Sequence, residues 1–529
     1  MLSARGRCAI WFVSVSSLVA GSVAAQAPAD EQVIEDPELA APSGATRTGP
    51  VEPAAETGAA TPQFVSQARL RLHTRLGMDI HRNDPREEIA ENTSVATLEL
   101  SVRRSETLRF VAGMRARHHV GWLDADVPDE RAERIDLDAT PTAGYVDIKL
   151  AEGLALQLGY QSVRLGRFDL VSAVDVLSAA DFRDGPATLP DAAEVAQPAV
   201  RLDVDVTSSI AVRILYVPFF TPHILSVYDS DYALLQLTEA QVETGIAVLG
   251  LDSRSLYANL SRADRERLAQ SGFAAFAPEA NLASQQAALR ATLRGSSGEL
   301  SLTAATAIEH MPALYFTQEA IDYLADPSDA DRQTRIRSVP RPIQIAYDRF
   351  ALVAVDATLD LAPFSAGVEA TYMFHRTLQS AGSGSYPDTL PLPDTSDVAQ
   401  LGLRLEYLSG VDFVFMVEAF GAYSLNAPRA PNRRWMFLED GRYIAGAASA
   451  IAWSLDFGLR LSAGVVALTG GTVLFAPRVG YVLIDTLELE LGAIVVEGPP
   501  PPATLTPDIA VGTLYDATDQ VFVGLGYTL

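Results

Sequence analysis

The chain ends with Val521-Phe522-Val523-Gly524-Leu525-Gly526-Tyr527-Thr528-Leu529, where a large apolar side chain occupies every second position. Successive side chains of a β-strand point to opposite faces of a sheet, so this period of two predicts a strand with one apolar face. The apolar set is Val521, Val523, Leu525, Tyr527 and Leu529. One such strand suits a soluble sandwich as well as a membrane barrel, so the rest of the chain has to decide between them.

The same alternation begins near Gln67 and recurs along the chain. The first run alternates Leu70, Leu72 and Leu76 with Arg69, Arg71 and Arg75. Comparable runs start near residues 108, 154, 200, 364, 401, 413 and 487, and several approach the roughly nine to eleven residues of a tilted membrane-spanning strand. Counting them predicts an all-β fold, a transmembrane antiparallel β-barrel of roughly 16–18 strands with long loops. The last strand is expected to close the barrel by pairing with the first.

Aromatic residues stand near many of the predicted strand ends. They are Trp122, Tyr160, Tyr216, Tyr372, Phe374, Tyr407, Tyr423 and Tyr527. Such residues form a girdle at each surface of a membrane barrel, but they also pack across strands in soluble sheets. The sequence leaves these two interpretations open.

Three regions are predicted along the chain. Residues 1–25 are predicted to be a signal peptide, because Arg5 and Arg7 precede a short apolar core that ends in small residues. Residues 26–63 are acidic and rich in Ala and Pro, which predicts a disordered periplasmic tail. Residues 64–529 are expected to form the barrel. The tail is too short for the plug domain of a TonB-dependent receptor, so that class is rejected.

Composition excludes several other classes. The only cysteine, Cys8, falls within the predicted signal peptide, so neither a disulfide nor a thiolate metal site is expected in the mature chain. The formal net charge of −26 disfavours a nucleic-acid partner. After the signal peptide no uncharged apolar stretch is long enough for a spanning helix. Membrane crossing would therefore have to use strands.

Two long interruptions of the strand pattern are expected to be functional. Residues 167–196 carry many carboxylates and are the candidate for a loop that folds into the barrel. Residues 218–285 are predicted to be a partly helical insertion, with a helix start near Thr238 and Gln241 and a second helix over Ser261–Gln270. Shorter loops are expected near residues 123–132, 313–339, 377–396, 425–440 and 498–516.

No catalytic or cofactor motif is evident in the sequence. The run Gly382-Ser383-Gly384-Ser385 does not match the serine-hydrolase elbow and lies in a predicted loop. Glu309 and His310 stand together without the second histidine of a zinc motif. His73, His81 and His119 alternate with arginines and are interpreted as polar lining of the lumen. We therefore predict no enzyme, no cofactor and no metal.

The strongest functional pattern is electrostatic. The first strands are expected to bring six arginines to the lumen face: Arg69, Arg71, Arg75, Arg109, Arg115 and Arg117. The candidate inward loop adds Asp169, Asp175, Asp181 and Arg183. Rings of charge decide which solutes enter a pore, so one hypothesis gives these residues a role in selecting solutes. The alternative is that the arginines and acids neutralise one another and hold the loop in place.

One stretch resembles a known family. The run Gly159-Tyr160-Gln161-Ser162-Val163-Arg164-Leu165-Gly166, followed by Asp175-Val176-Leu177 and Asp181-Phe182-Arg183, is similar to a loop of porin-like outer-membrane proteins in the alginate-export and large uncharacterised porin group. A second element, Val217 to Pro222 with Ser230 to Ala233, resembles the same group. The sequence departs from it at Leu165, at Ser178-Ala179-Ala180 and at Leu529. The resemblance implies a passive or export channel.

Together these patterns predict a porin-like channel for small hydrophilic solutes, integral to a Gram-negative outer membrane. Its expected partners are outer-membrane lipid and the barrel-assembly machinery. The alternatives are an export channel for polysaccharide or lipid, a closed barrel that acts as a surface scaffold, and a barrel-embedded hydrolase. The sequence identifies neither the solute nor the oligomeric state.

Overall fold

The computed structural model describes residues 65–80, 88–123, 133–168, 172–181, 194–224, 281, 284–326, 329–339, 343–382, 392–409, 412–435, 438, 441–484, 486–498 and 519–529. The predicted signal peptide, the predicted tail and both helices predicted within residues 218–285 lie outside the described residues.

Eighteen long strands form one closed antiparallel barrel. In chain order they are β1 (Val65–Asp79), β2 (Glu88–Ser105), β3 (Leu108–Leu123), β4 (Glu133–Ala151), β5 (Leu154–Gln161), β6 (Gln197–Thr207), β7 (Ile210–Val217), β8 (Gln286–Arg294), β9 (Gly298–Ile308), β10 (Arg349–Leu361), β11 (Phe364–Gly382), β12 (Leu392–Ser409), β13 (Phe413–Ser424), β14 (Tyr443–Ser454), β15 (Leu459–Leu468), β16 (Thr472–Ile484), β17 (Leu487–Glu497) and β18 (Gln520–Thr528). The predicted fold class is confirmed, at the upper end of the predicted strand count.

The last strand closes the barrel. β18 pairs with β17 on one side and with β1 on the other, and Val523 lies opposite Leu491 and Leu76 in the two ladders. The chain end continues this seam, because Leu529 and Leu70 exchange backbone hydrogen bonds of 2.8 and 3.0 Å. Every long strand is thereby paired on both sides, which leaves no open sheet edge.

Short elements lie between the barrel strands. Two-stranded ladders join Ala179–Ala180 to Glu194–Val195 and Ala313–Phe316 to Ile343–Ala346, and Arg433–Trp435 pairs with β11. A 3-10 turn, Asp456–Gly458, links β14 to β15. Two short helices, α1 (Gln318–Ala325) and α2 (Ala330–Ser338), occupy a region predicted only as a loop. No helix in the described part of the chain is long and apolar enough to span a membrane.

The two faces of the barrel wall have opposite chemistry. Large apolar side chains such as Leu76, Leu302 and Val523 are exposed on the outer face. The inner face carries polar side chains with no solvent exposure, among them Thr303 and Glu418. A water-soluble protein has the reverse arrangement, whereas an outward apolar band with a polar interior is the pattern of a membrane barrel.

Aromatic side chains form a row across strands at one end of the wall. The ring centroids of Phe364 and Tyr407 lie 5.0 Å apart, those of Tyr407 and Phe413 lie 6.1 Å apart, and those of Phe413 and Trp453 lie 6.3 Å apart. Further along β11, Phe374 packs against Tyr372 with a centroid distance of 4.7 Å. At a rise of about 3.3 Å per residue and a tilt of about 40°, Phe364 and Phe374 differ in height by about 25 Å, the height of a bilayer's apolar band. The row at Phe364 packs across strands, and the spacing to Phe374 fits two girdles, so the girdle interpretation stays a prediction.

The connections differ at the two ends of the barrel. At the short-turn end, strands join through tight links such as those between β2 and β3, β4 and β5, and β6 and β7. At the long-loop end, long segments follow β5, β7 and β9, and only the link from β15 to β16 is tight. Both Val65 and Thr528, the ends of the closing strands, lie at the short-turn end.

Candidate functional site: the lumen and its inner segment

The chain that follows β5 turns back against the inner wall. We call residues 162–181 the inner segment; all of them except 169–171 are described. Its atoms bond to inner-face side chains of β3, β8, β10, β11 and β12. Strands β3 and β11 lie on well-separated parts of the barrel wall. A segment that bonds to both therefore runs across the lumen.

Glu369 of β11 is the main anchor of the inner segment. Its side chain has no solvent exposure, and each carboxylate oxygen accepts two hydrogen bonds. The donors are the backbone N–H of Arg167 at 2.8 Å, of Phe168 at 3.3 Å and of Ala173 at 2.8 Å, and the Ser172 hydroxyl at 2.8 Å. Hydrogen bonds to an ionised carboxylate are about twice as strong as neutral ones. One side chain thereby satisfies three backbone donors that would otherwise be buried without partners.

Phe168 is packed flat against the wall. Its ring lies over Gly367 of β11 and Gly402 of β12, and a Cβ atom added at either glycine would stand 2.9 Å from a ring carbon. Phe168 is 3% exposed. The absence of a side chain at these two positions leaves the space that the ring fills.

Two buried charges of the wall hold the first part of the inner segment. Arg290 of β8 donates to the Leu165 carbonyl at 2.6 Å and to the Asp356 carboxylate at 2.6 Å. The Arg167 guanidinium lies 3.6 Å from the same Asp356 carboxylate and also bonds to Glu299. Arg404 of β12 donates to the Arg167 carbonyl at 2.9 Å. The segment is therefore tied to β8, β10 and β12 by charge-assisted bonds.

The far part of the inner segment reaches one of the predicted arginines. Asp181 accepts a hydrogen bond of 3.1 Å from Arg115 of β3, and both side chains are buried. Asp175 instead bonds within the segment, to the Ser178 hydroxyl at 2.7 Å. The other predicted charges of this loop, Asp169 and Arg183, lie outside the described residues.

The predicted arginines of β1 and β3 lie on the inner face but have different surroundings. Arg75 is 9% exposed and donates to Glu91 at 2.9 Å. Arg109 donates to Ser101 at 2.9 Å, and Arg117 is buried. Arg69 is exposed and Arg71 is half-buried, both nearer the short-turn end. The six arginines therefore do not act as one uniformly open basic surface, and their role in selectivity stays a prediction.

A cluster at the barrel seam was not singled out from the sequence. Glu490 of β17 lies 3.3 Å from His73 and 3.5 Å from Arg478. Arg75 and Arg478 both stack on the Phe522 ring, at 5.2 and 5.8 Å from its centroid. The available signal was Phe522, the one large apolar side chain on the polar face of the last strand. The cluster joins strands β1, β16, β17 and β18 on the lumen side.

A pair of histidines lies where the inner segment meets two loops at the long-loop end. The rings of His223 and His310 stack at a centroid distance of 4.9 Å, and Phe220 packs on His310 at 5.2 Å. Burial lowers the pKa of both histidines below 6.5, and for His223 the neighbouring His310 lowers the pKa further. The sequence pointed only to Glu309 and His310. Glu309 bonds to Arg376 at 2.7 Å instead. Among the described residues, no group of three or more His, Cys, Asp or Glu is arranged to hold a metal ion.

The barrel resembles solved outer-membrane porins. It matches OmpF of Salmonella typhi, solved in complex with daunomycin, at 8% identity and a TM-score of 0.39, covering 88% of this chain and 97% of that one. It matches OccAB4 of Acinetobacter baumannii at 9% identity and a TM-score of 0.42, covering 88% and 98% of the two chains. It matches OccK5 (OpdH) of Pseudomonas aeruginosa at 11% identity and a TM-score of 0.41, with coverage of 88% and 98%.

No family model and no curated protein matches the chain. Membership in the alginate-export group therefore stays a prediction. At such low identity the solved structures are similar in barrel architecture only, and the fold described above rests on the strand ladders of this chain. What the lumen does has to be argued from its own side chains.

Proposed function

We propose that this protein is an outer-membrane channel for small hydrophilic solutes and that the inner segment narrows its lumen. The observation that carries the proposal is the anchoring of the segment on the buried Glu369 carboxylate, inside a wall with an apolar outer face. A barrel of about eighteen strands is wide enough for an aqueous passage unless something fills it. A segment bonded across that passage sets its width.

The charges of the lumen divide into two groups with different roles. Buried pairs such as Arg290–Asp356 and Arg115–Asp181 hold the inner segment in place. Other charges are paired but can still be reached by solutes; the Arg164 and Arg167 side chains on the segment, which pair with Asp175 and Glu299, are 45% and 36% exposed. The partly exposed charges are expected to select solutes by the sign of their charge, because ions in a narrow pore respond to fixed charges at its lining.

The orientation follows from the lengths of the connections. Outer-membrane barrels have short periplasmic turns and longer extracellular loops. These lengths support the proposal that the short-turn end faces the periplasm and the long-loop end faces the cell surface, and residues 26–63 stay predicted to be a periplasmic tail. The expected partners during assembly are the barrel-assembly machinery and outer-membrane lipid.

Planar-bilayer recordings of the purified protein test this function. The full-length protein is expected to give steps of conductance, and a variant with residues 167–196 replaced by a short Gly-Ser linker is expected to give larger steps. If neither protein conducts, the channel proposal is wrong and the closed scaffold is favoured. If the protein co-purifies with periplasmic partners and conducts only in their presence, the export alternative replaces the passive channel.

A further inference from the structure

The end of the inner segment is held by the two stacked histidines, which we call the histidine clamp (His223 and His310). The backbone N–H of Ala180 donates to His223 Nδ1 at 3.0 Å, and the Ala180 carbonyl accepts from the Ile224 N–H at 2.9 Å. The backbone N–H of His223 in turn donates to the backbone carbonyl of His310 at 3.2 Å. Three pieces of chain, around residues 180, 223 and 310, are therefore joined through this pair.

The bonding partners fix where each imidazole carries its proton. His223 Nδ1 accepts from an N–H, so it carries none. His310 Nδ1 lies 2.7 Å from the Thr221 carbonyl, which can only accept, so this nitrogen carries the proton. His310 Nε2 is buried and makes no hydrogen bond of ordinary geometry among the described residues, although the Val176 and Leu177 carbonyls are close enough to favour the protonated ring. Each ring therefore has a neutral tautomer that fits these bonds, and burial favours the neutral form of both rings.

From this geometry we propose that the histidine clamp is an acid-sensitive latch that releases the end of the inner segment at the cell-surface side of the channel. A proton on His223 Nδ1 would replace the bond from the Ala180 N–H with a contact between two hydrogens. A proton on His310 Nε2 would place a positive charge in a buried site, where burial outweighs the neighbouring Leu177 and Val176 carbonyls that favour the charge. Two imidazolium rings at a centroid distance of 4.9 Å would also repel each other.

The other ionisable groups around the histidine clamp do not supply this response. Glu309, next to His310, favours a proton on that ring but less than burial disfavours it, and is itself paired with Arg376. Asp181, next to Ala180, is paired with Arg115. Tyr347 packs on Phe220 at 5.1 Å, and burial raises its pKa, so it remains neutral in acid.

The direction of the pH effect follows from linkage. The closed histidine clamp resists protonation, because burial depresses the pKa of both histidines. In the open arrangement an exposed histidine binds a proton at about pH 6.5. The open form therefore gains protons as the pH falls below about 6.5, and opening becomes more favourable there. Between about pH 7.5 and about pH 5.5 the open fraction rises about tenfold for each histidine that is protonated only when open.

The test compares the wild-type protein with the double variant His223→Asn/His310→Asn. Asparagine can place an oxygen where His223 Nδ1 accepts and an amide where His310 Nδ1 donates, but it does not titrate. Amide hydrogen exchange of residues 174–181 is measured by mass spectrometry in detergent, at about pH 7.5 and about pH 5.5. The ratio of wild-type to variant exchange is expected to rise at least about tenfold at the lower pH. His118→Asn, on the outer face of β3, is the control and is expected to behave like the wild type.

The latch is refuted if the ratio of wild-type to double-variant exchange is the same at about pH 7.5 and about pH 5.5. It is also refuted if His118→Asn abolishes the pH response, since that histidine is not part of the histidine clamp. Conductance of the wild type is expected to increase at about pH 5.5, and that of the double variant to stay constant. The conductance measurement rests on the proposed channel function, whereas the exchange measurement does not. An acid-dependent exchange ratio without any conductance would thus keep the latch and refute the channel.

Discussion

The ring of Phe168 lies against Gly402 so closely that a Cβ there would stand 2.9 Å from the ring. The contact joins the inner segment to β12 with no polar atom involved. It complements the Glu369 anchor on the neighbouring strand, because Glu369 and Gly402 lie opposite each other in the ladder between β11 and β12. An apolar and an ionic attachment therefore act on the same stretch of the inner segment.

We expect Gly402→Ala to loosen the inner segment. The added methyl group must displace the Phe168 ring or the strand, and such overpacking costs about 1–3 kcal/mol. Larger and noisier conductance steps are expected, together with faster amide exchange of residues 162–168. Gly421→Ala is the matched control, because its nearest neighbour would lie at an ordinary 3.7 Å. If both alanine variants behave like the wild type, Phe168 does not hold the segment.

Neutralising the anchor itself should have a larger effect. Glu369→Gln keeps the shape of the side chain but loses its charge and turns one acceptor into a donor that faces backbone N–H groups. A buried donor left without an acceptor costs about 1–3 kcal/mol, and more than one is affected here, so we expect the inner segment to detach and the conductance to approach that of the 167–196 replacement.

Glu488→Gln provides the comparison for this anchor. Glu488 also belongs to the barrel wall, but it bonds to Arg460 at 2.9 Å in a largely exposed pair. Such exposed pairs contribute about 0–1 kcal/mol. Equal conductance changes in the two glutamine variants would contradict a special role for Glu369.

The predicted arginines should separate into two classes by experiment. The double variant Arg69→Gln/Arg71→Gln removes charge that solutes can reach, so the reversal potential in a KCl gradient is expected to shift toward cation preference. Arg75→Gln leaves the buried Glu91 without its arginine partner, and about 3–5 kcal/mol of stability is expected to be lost. Its folded form should therefore resist heat less well in detergent. A larger selectivity shift for Arg75→Gln than for the double variant would reverse this division.

The strand pattern was predictable because the residue types within each strand depend on what that strand itself faces, lipid on one side and the lumen on the other. Side chains such as Leu72 and Leu76 must be apolar to face lipid, and alternate positions must be polar to face the lumen, so a period of two survives in the sequence. Counting such runs predicted roughly 16–18 strands, and a closed barrel requires the last strand to pair with the first. Helices α1 and α2 were missed. Their only signals are the caps Thr317 and Asp329 at the start of two short segments.

The anchors of the lumen were not predictable in the same way. Glu369 bonds to atoms about two hundred positions earlier in the chain, and no local pattern records such a contact. Arg75 and Arg69 look alike in the sequence, yet one is buried in an ion pair and the other is exposed. An acid directly opposite is not the difference, because Glu99 lies opposite Arg69 and Thr93 lies opposite Arg75 in the ladder with β2. The difference is burial, and Arg69 is the one nearer the short-turn end. His223 and His310 are likewise joined only by the return of two loops to the same place.

The effect of an arginine on barrel assembly is expected to depend on its height along the closing strand β18. Val523 lies on the outer face of β18, about midway between the aromatic Tyr527 and the far end of the strand, and Leu529, 69% exposed, lies at the short-turn end. An arginine on the lipid face costs about 2–4 kcal/mol at the middle of the bilayer and about 0–1 kcal/mol near its surface. Val523→Arg is therefore expected to lower the folded fraction in membranes markedly, and Leu529→Arg only slightly. Ser209→Arg, in an exposed turn at the same end, is the control. The folded fraction is read from the mobility of unheated samples on gels. Equal folding of Val523→Arg and Ser209→Arg would mean that this face of β18 does not contact lipid.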